Sequence, residues 1–134
     1  MIHGIGIDAV EIERFVAWAH YSRKQLQRIF SDAEIDYCLS VPAKTAERFA
    51  ARFAAREAFF KAFSAAYPEH SVPFLTVCKS IELQKNELSV PMLKINWTLL
   101  KVQGAHNAPC TCHVSVTHTA TTATVIVILE VEQA

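Results

Sequence analysis

Hydrophobic and polar positions change period twice along the chain. Residues 2–8 read as a strand, after which Ile12, Phe15, Val16 and Ala19 recur at helical spacing, so the chain turns from strand to helix near Asp8. Glu11 suits the first turn of that helix, where a carboxylate meets unpaired amide groups. Leu26, Ile29 and Phe30 predict a second short helix. Ser31 and Glu34 form a capping box that opens a third, through Tyr37 and Leu39, and Pro42 breaks it. From Ala43 to Ala66 neither Gly nor Pro occurs, and Pro68 closes what should be the longest helix. Beyond it, β-branched alternation at 75–83, 92–97, 112–117 and 123–131 predicts strands of an antiparallel sheet. Asn86 to Ser89 reads as a turn, Thr98 to Val102 as a short helical piece ending at Gly104, and His118 to Thr122 as the last hairpin turn. A strand, then helices, then strands make an α+β fold: an antiparallel sheet packed against one long helix and shorter N-terminal ones.

The register of the long helix carries the first chemical signal. On a 3.6-residue period Ala46, Ala50, Ala54, Glu57, Lys61 and Ser64 share one narrow stripe, flanked by Phe53 and Phe60 on one side and Ala58 on the other. Glu57 four residues before Lys61 is the favourable order for an exposed ion pair, which stabilises a helix by about 0.2–0.5 kcal/mol. Flanking phenylalanines point instead to partial burial, where charges are costly unless paired or bound to something. Asp8 closes the first strand, so two carboxylates and an ammonium are available for magnesium chemistry on a phosphate: hard oxygen ligands for the ion and a positive charge for phosphoryl oxygens. Arg48 and Arg52 fall on the opposite side of the helix, a position compatible with plain solvation.

Composition narrows the classes. The chain has 134 residues, 51% of them hydrophobic, enough for one compact domain spanning 1–134 with a real core. Thirteen basic and thirteen acidic residues cancel, so no global charge draws it to nucleic acid or to an anionic membrane surface. With no apolar stretch approaching the roughly 20 residues that span a bilayer and no basic-then-apolar leader, the expected compartment is the cytoplasm. Four cysteines, Cys38, Cys78, Cys110 and Cys112, lack the spacing of a secreted disulfide framework and are expected as half-buried thiols. Cys110, Cys112 and His113, with His106 upstream, raise the rival reading of a zinc site; against it, adjacent residues of a strand point to opposite faces. In that same strand Val114 and Val116 alternate with His113, Ser115 and Thr117, a polar face open to solvent, ligand or another subunit.

Three blocks, taken together, resemble the holo-acyl-carrier-protein synthases, the small group of 4′-phosphopantetheinyl transferases, along most of the chain. They are Gly4-Ile5-Gly6-Ile7-Asp8 with Glu11 and Arg14; Arg52-Phe53-Ala54-Ala55-Arg56-Glu57-Ala58 closed by Lys61-Ala62-Phe63; and His113-Val114-Ser115-Val116-Thr117-His118. The resemblance implies transfer of the phosphopantetheine arm of coenzyme A to a serine of apo acyl carrier protein, leaving adenosine 3′,5′-bisphosphate, for fatty acid biosynthesis. It assigns magnesium to Asp8 and Glu57, charge stabilisation on the departing phosphate to Lys61, and the serine's base to Glu57 or a metal-bound water. It implies a homotrimer with coenzyme between neighbouring subunits, contacted by Arg52, Ser115, Thr117 and His118, the last three from the adjacent chain. Carrier docking falls to Arg14, Arg23 and Lys24, basic residues suited to an acidic partner. A non-catalytic module of the same fold that binds coenzyme A or the carrier is the alternative. Two loops depart from the family pattern: Ser64 to His70, where relatives have a glycine-containing turn, and Ser89-Val90-Pro91 in place of Gly-Lys-Pro. With glycine only at positions 4, 6 and 104, a loop that needs positive φ should take a different course.

Overall fold

A computed structural model describes residues 1–102 and 110–132. Strand β1 (Ile2–Glu11) leads into a 3-10 helix (Ile12–His20), followed by α1 (Arg23–Leu26), α2 (Asp32–Leu39), a 3-10 turn (Pro42–Lys44) and α3 (Thr45–Ala66). Then come α4 (Phe74–Ser80), β2 (Ile81–Lys85), β3 (Pro91–Ile95), β4 (Cys110–His118) and β5 (Thr122–Val131). The expected α+β class holds, but the strands form two antiparallel sheets: β1-β5-β4, and a separate β2-β3 ribbon. Among the described residues no helix is long and apolar enough to cross a membrane.

Three local departures from the sequence reading have physical causes. The segment after Glu11 is 3-10 rather than α-helical: Ile12, Phe15 and Trp18 pack inward at a three-residue period, while Val16 and Ala19 stay exposed. Residues 74–80 form a helix where a strand was expected. Phe74, Val77, Cys78 and Ile81 face the core at i, i+3, i+4 and i+7, and Pro73 opens the helix, its carbonyl accepting from the Val77 amide at 3.1 Å. Residues 98–101 are a turn rather than a helical piece, with Lys101 at φ 60°; Gly104 lies outside the described residues.

The capping box at Ser31 and Glu34 is made in full, side chain to backbone in both directions. In the expected new loops, Ser89 carries φ 60°, so the β2–β3 turn keeps a left-handed residue without glycine. The Asn86 side chain compensates by accepting from the amides of Leu88 (2.9 Å) and Val90 (3.0 Å). At the other loop α3 runs on to Ala66, and the Tyr67 ring packs against Phe63, His3, His70 and Trp97.

The core lies between α3 and the inner face of β1-β5-β4. Inward positions of β5, namely Ala123, Val125, Val127 and Leu129, are fully buried with Phe49, Phe59 and Phe63 of α3. β1 rests directly on the α3 backbone, and Gly4 and Gly6 permit this. A Cβ at Gly6 would overlap the Ala58 carbonyl oxygen and sit 2.8 Å from the Ala62 nitrogen; at Gly4 it would overlap the Ala62 carbonyl.

Deep in the core Arg56 is fully buried and paired with the buried Glu34: Nη1 donates to Oε2 at 2.8 Å and Nη2 to Oε1. The same guanidinium donates to the carbonyls of Ile29, Cys78, Arg52 and Ile81. Glu34 also accepts from the amides of Ser31 and Leu83. The pair therefore locks α3 to the segment after α1 and to α2, α4 and β2, a cross-brace with its charges satisfied.

Candidate active site

Alternation along β1 turns Gly4, Gly6, Asp8 and Val10 toward α3, which brings Asp8 onto the stripe carrying Glu57 and Lys61. Lys61 Nζ donates to the Ile7 carbonyl at 2.9 Å and to Asp8 Oδ1 at 3.2 Å. Asp8 is mostly covered (16% exposed) and Lys61 half open (52%), so the ion pair sits at a surface with its carboxylate end inward. Asp8 Oδ2 is buried and has no hydrogen-bond partner among the described residues. Burial, then the nearby Asp8 charge, push the Glu57 carboxyl above the ordinary carboxylate range, with Lys61 and Arg14 pulling it back. The alternative of a simple Glu57–Lys61 surface pair is not what forms, since Lys61 turns to Asp8 instead.

Two carboxylates repelling each other, one with a bare buried oxygen, fit a hard divalent cation. Among the described residues no cluster of three or more His, Cys, Asp or Glu suited to a metal occurs, so a cation here would keep most of its positions for water and substrate oxygens. Arg14 is exposed, its guanidinium 5.3 Å from the Phe53 ring centroid.

A second basic site forms at the N-terminal half of α3. A groove of about 300 Å³ is bordered by Lys44, Arg48, Arg52, Lys85 and His118, with Glu47 as its carboxylate. Contrary to simple solvation, Arg52 is only 6% exposed and Arg48 half-buried, Arg48 donating to the Tyr37 carbonyl at 2.8 Å. Both guanidiniums lie on the Tyr37 ring, at 3.9 and 4.5 Å from its centroid, and Lys85 Nζ donates to its hydroxyl. That Lys85 contact holds the Tyr37 hydroxyl below its usual range. Arg52 Nε is buried without a hydrogen-bond partner among the described residues, 4.0 Å from Glu34 Oε2. His118 Nε2 meets Glu47 Oε1 at 3.1 Å.

The site residues expected from the sequence therefore form two groups. Asp8, Glu57 and Lys61 come together, while Arg52 and His118 border the other groove, whose α3 residues lie from roughly 7 Å (Arg52) to roughly 15 Å (Glu47) before Glu57 along the helix. Ser115 and Thr117 are exposed on the opposite face of β4 from His118. Their neighbours there are unexpected. Ile5 and Ile7 of β1 are 52% and 57% exposed, and the register aligns Ile7 with Ile126 and Ser115, and Ile5 with Ile128 and His113. Arg23 is committed to Asp32 and Asp36, whereas Lys24 makes no ion pair among the described residues.

Sequence reasoning missed Lys44 and Lys85 as groove residues and the Arg56–Glu34 brace. Glu34 was legible only as a helix cap, since its second role depends on a side chain 22 residues away. The zinc reading fails on geometry. Cys110 and Cys112 face inward, with burial pushing the Cys112 thiol up to about 12, while His113 faces outward and meets Glu130 at 2.8 Å. His106 lies outside the described residues.

Comparison with known proteins identifies the family and the fold. Residues 4–123 match the model of the 4′-phosphopantetheinyl transferase superfamily. The chain is 35% identical to the holo-[acyl-carrier-protein] synthase of Syntrophus aciditrophicus, over 97% of both chains. It is also 35% identical to that of Treponema denticola, over 97% of this chain and 99% of the relative. Its fold superposes on the acyl carrier protein synthase of Mycobacterium tuberculosis with a TM-score of 0.68 at 30% identity, covering 98% and 100% of the two chains. A holo-(acyl-carrier-protein) synthase from Bacillus anthracis, in complex with CoA (3′,5′-ADP), superposes with a TM-score of 0.75 at 26% identity, covering 98% and 99%. The chain belongs to the 4′-phosphopantetheinyl transferase superfamily, within its holo-acyl-carrier-protein synthase group.

Proposed function

We propose that this protein, working as one domain, transfers the 4′-phosphopantetheine arm of coenzyme A to a serine hydroxyl of an apo acyl carrier protein, with magnesium required. The observation that carries this reading is the convergence of Asp8, Glu57 and Lys61, at the positions of the family motifs, with Asp8 Oδ2 left bare. Asp8 and Glu57 would hold the ion, which when bound neutralises the diphosphate. Lys61, anchored by the Ile7 carbonyl, presents its ammonium to phosphoryl oxygens and stabilises charge as adenosine 3′,5′-bisphosphate departs. Its proton is available to that leaving group. Glu57, whose carboxyl burial and Asp8 hold above the ordinary carboxylate range, is suited to accept the serine proton.

Arg52, Lys44, Arg48, Lys85 and His118 supply a receptor for the coenzyme's nucleotide phosphate. The apolar face formed by exposed Ile5 and Ile7 with half-buried Ile126 and Ile128, edged by Ser115 and Thr117, supports a homotrimer as the working form.

Incubation with coenzyme A, magnesium and apo acyl carrier protein should shift the carrier's mass by one phosphopantetheine unit. The shift should vanish on chelation. An unmodified carrier under all conditions refutes the reading, and modification undiminished by chelator refutes the metal role.

A further inference from the structure

We propose that Tyr37 is a positioning residue of the phosphate receptor, its ring and hydroxyl holding Arg48, Arg52 and Lys85 in place for the coenzyme's nucleotide phosphate without neutralising them. The inference rests on reading the basic groove as that receptor, and it adds the side chain through which the cations are arranged. Tyr37, half-buried on α2, borders the groove and touches three of its cations at once. The Arg48 and Arg52 guanidiniums stand 3.9 and 4.5 Å from its ring centroid. Its hydroxyl accepts from Lys85 Nζ at 3.1 Å, and its backbone carbonyl from Arg48 Nη1 at 2.8 Å.

Gathering like charges is costly unless something offsets their repulsion. Carboxylates do little of that here. Among the described residues Lys44, Arg48 and Lys85 make no ion pair, and Glu47 is engaged by His118. Arg52 reaches only Glu34, at 4.0 Å, and Arg56 already takes both oxygens of that carboxylate. An aromatic face is a different kind of partner: its quadrupole attracts a guanidinium while adding no net charge and occupying no N–H. Arg48 Nη1 donates to the Tyr37 carbonyl and the Ser40 hydroxyl, and Arg52 Nη1 to the Arg48 carbonyl, but no acceptor among the described residues takes Nη2 of either. Those donors stay open to phosphate oxygens, for which a carboxylate partner would compete.

The ring is itself held. Tyr37 comes one turn after Glu34 on α2, and Arg56 locks that carboxylate into the core while the Ser31 capping box opens the helix. Two long guanidinium side chains and an exposed lysine are thereby ordered before the ligand arrives, which lowers the entropy cost of binding it. The Lys85 hydrogen bond, opposed by burial and aided by the Lys85, Arg48 and Arg52 charges, holds the phenol below its usual range, as a hydroxyl facing several cations should be.

The test compares coenzyme A with 3′-dephospho-coenzyme A, at saturating apo carrier, for wild type, Tyr37→Phe and Tyr37→Leu. Tyr37→Leu removes ring and hydroxyl and should raise KM for coenzyme A about tenfold, the size of two aromatic–guanidinium contacts. KM for 3′-dephospho-coenzyme A and turnover at saturating coenzyme A should stay within about twofold. Tyr37→Phe keeps the ring and should remain within about threefold of wild type on both coenzymes. Should Tyr37→Leu not fold, Tyr37→Gln gives the same readout at this half-buried position. A loss shared equally by both coenzymes overturns the proposal, because Tyr37 would then be a prop of the fold. An unchanged KM in Tyr37→Leu, or a Tyr37→Phe as poor as Tyr37→Leu, also overturns it while leaving the transfer reading intact. If wild type transfers nothing, the transfer reading fails, and calorimetric titration of adenosine 3′,5′-bisphosphate and adenosine 5′-monophosphate into the same proteins decides the role of Tyr37. A preference for the bisphosphate that Tyr37→Leu loses and Tyr37→Phe keeps supports it, and any other pattern overturns it.

Discussion

Gly6→Ala should damage stability and activity together. The new methyl would overlap the Ala58 carbonyl oxygen and lie 2.8 Å from the Ala62 nitrogen, both backbone atoms in the middle of a 22-residue helix that cannot yield locally. To clear the carbonyl oxygen to an ordinary separation of about 3.5 Å, β1 must shift from α3 by roughly 1.5 Å or more. Removing a glycine restricts the unfolded chain and is worth about 0.4–1 kcal/mol where the native backbone tolerates it. Overpacking against rigid backbone costs about 1–3 kcal/mol or more and wins. For a chain of this length a loss near the top of that range lowers Tm by roughly 10 °C. Lifting β1 also pulls Ile7 and Asp8 from Lys61, whose contacts of 2.9 and 3.2 Å set the site. Thermal unfolding and transfer assays well below Tm should thus show both a lower midpoint and lower turnover in the molecules still folded. A variant melting within about 2 °C of wild type with full turnover would refute the claim that the strand–helix approach positions Asp8.

Arg56→Met should destabilise by about 3–5 kcal/mol in denaturant titration, because it strands a buried carboxylate. Burial pushes the Glu34 carboxyl up, but the Arg56 bond and charge outweigh it and hold the group below its ordinary range. A depressed carboxyl contributes stability that is present above its unfolded pKa and lost as pH falls through the folded one, so wild type should weaken below about pH 4 and Arg56→Met should lack that contribution. Lys61→Met should lower kcat far more than it raises KM for coenzyme A, since its charge meets the departing phosphate; near-wild-type turnover would leave it a structural pair only. Arg52→Gln should raise KM for coenzyme A but scarcely change KM for 3′-dephospho-coenzyme A, and equal losses on both would remove Arg52 from the phosphate receptor. Asp8→Ala and His118→Ala, each poor alone, should regain activity when mixed subunits exchange. Absent recovery after demonstrated exchange would place both residues in one chain's site.

How much was legible in the sequence follows from how local each cause is. The capping box, the long helix bounded by Pro42 and Pro68, and the Glu57–Lys61 register are set by neighbours within a turn, and they stand as read. The segment 74–80 misleads because Leu75-Thr76-Val77 alternates in residue type while burial recurs at helical spacing. Arg56 had no local sign at all: the same Arg-Glu dipeptide gives one side chain to the core and the next to the surface, and only the arrival of Glu34 from α2 decides which. The exposed Ile5 and Ile7 were hidden by the opposite ambiguity, since an Ile-Gly alternation looks like an apolar inward face until the glycines prove to be the buried set.

Among the described residues two buried side-chain atoms lack a hydrogen-bond partner, Asp8 Oδ2 and Arg52 Nε. Such atoms cost stability, and native folds rarely keep them without a reason. One is an acceptor beside a second carboxylate and the other a donor in a groove of four further basic side chains. Asp8 Oδ2 faces a second carboxylate, whereas Arg52 Nε lies 4.0 Å from Glu34 Oε2, whose charge answers it. The Arg56–Glu34 brace, satisfied on nearly every polar atom, lies on α3 one turn from Arg52 and next to Glu57, and fixes the rotation of that helix. A rigid, fully paired centre holds the helix in one rotation, and that rotation keeps Glu57 beside Asp8 and Arg52 beside the basic groove.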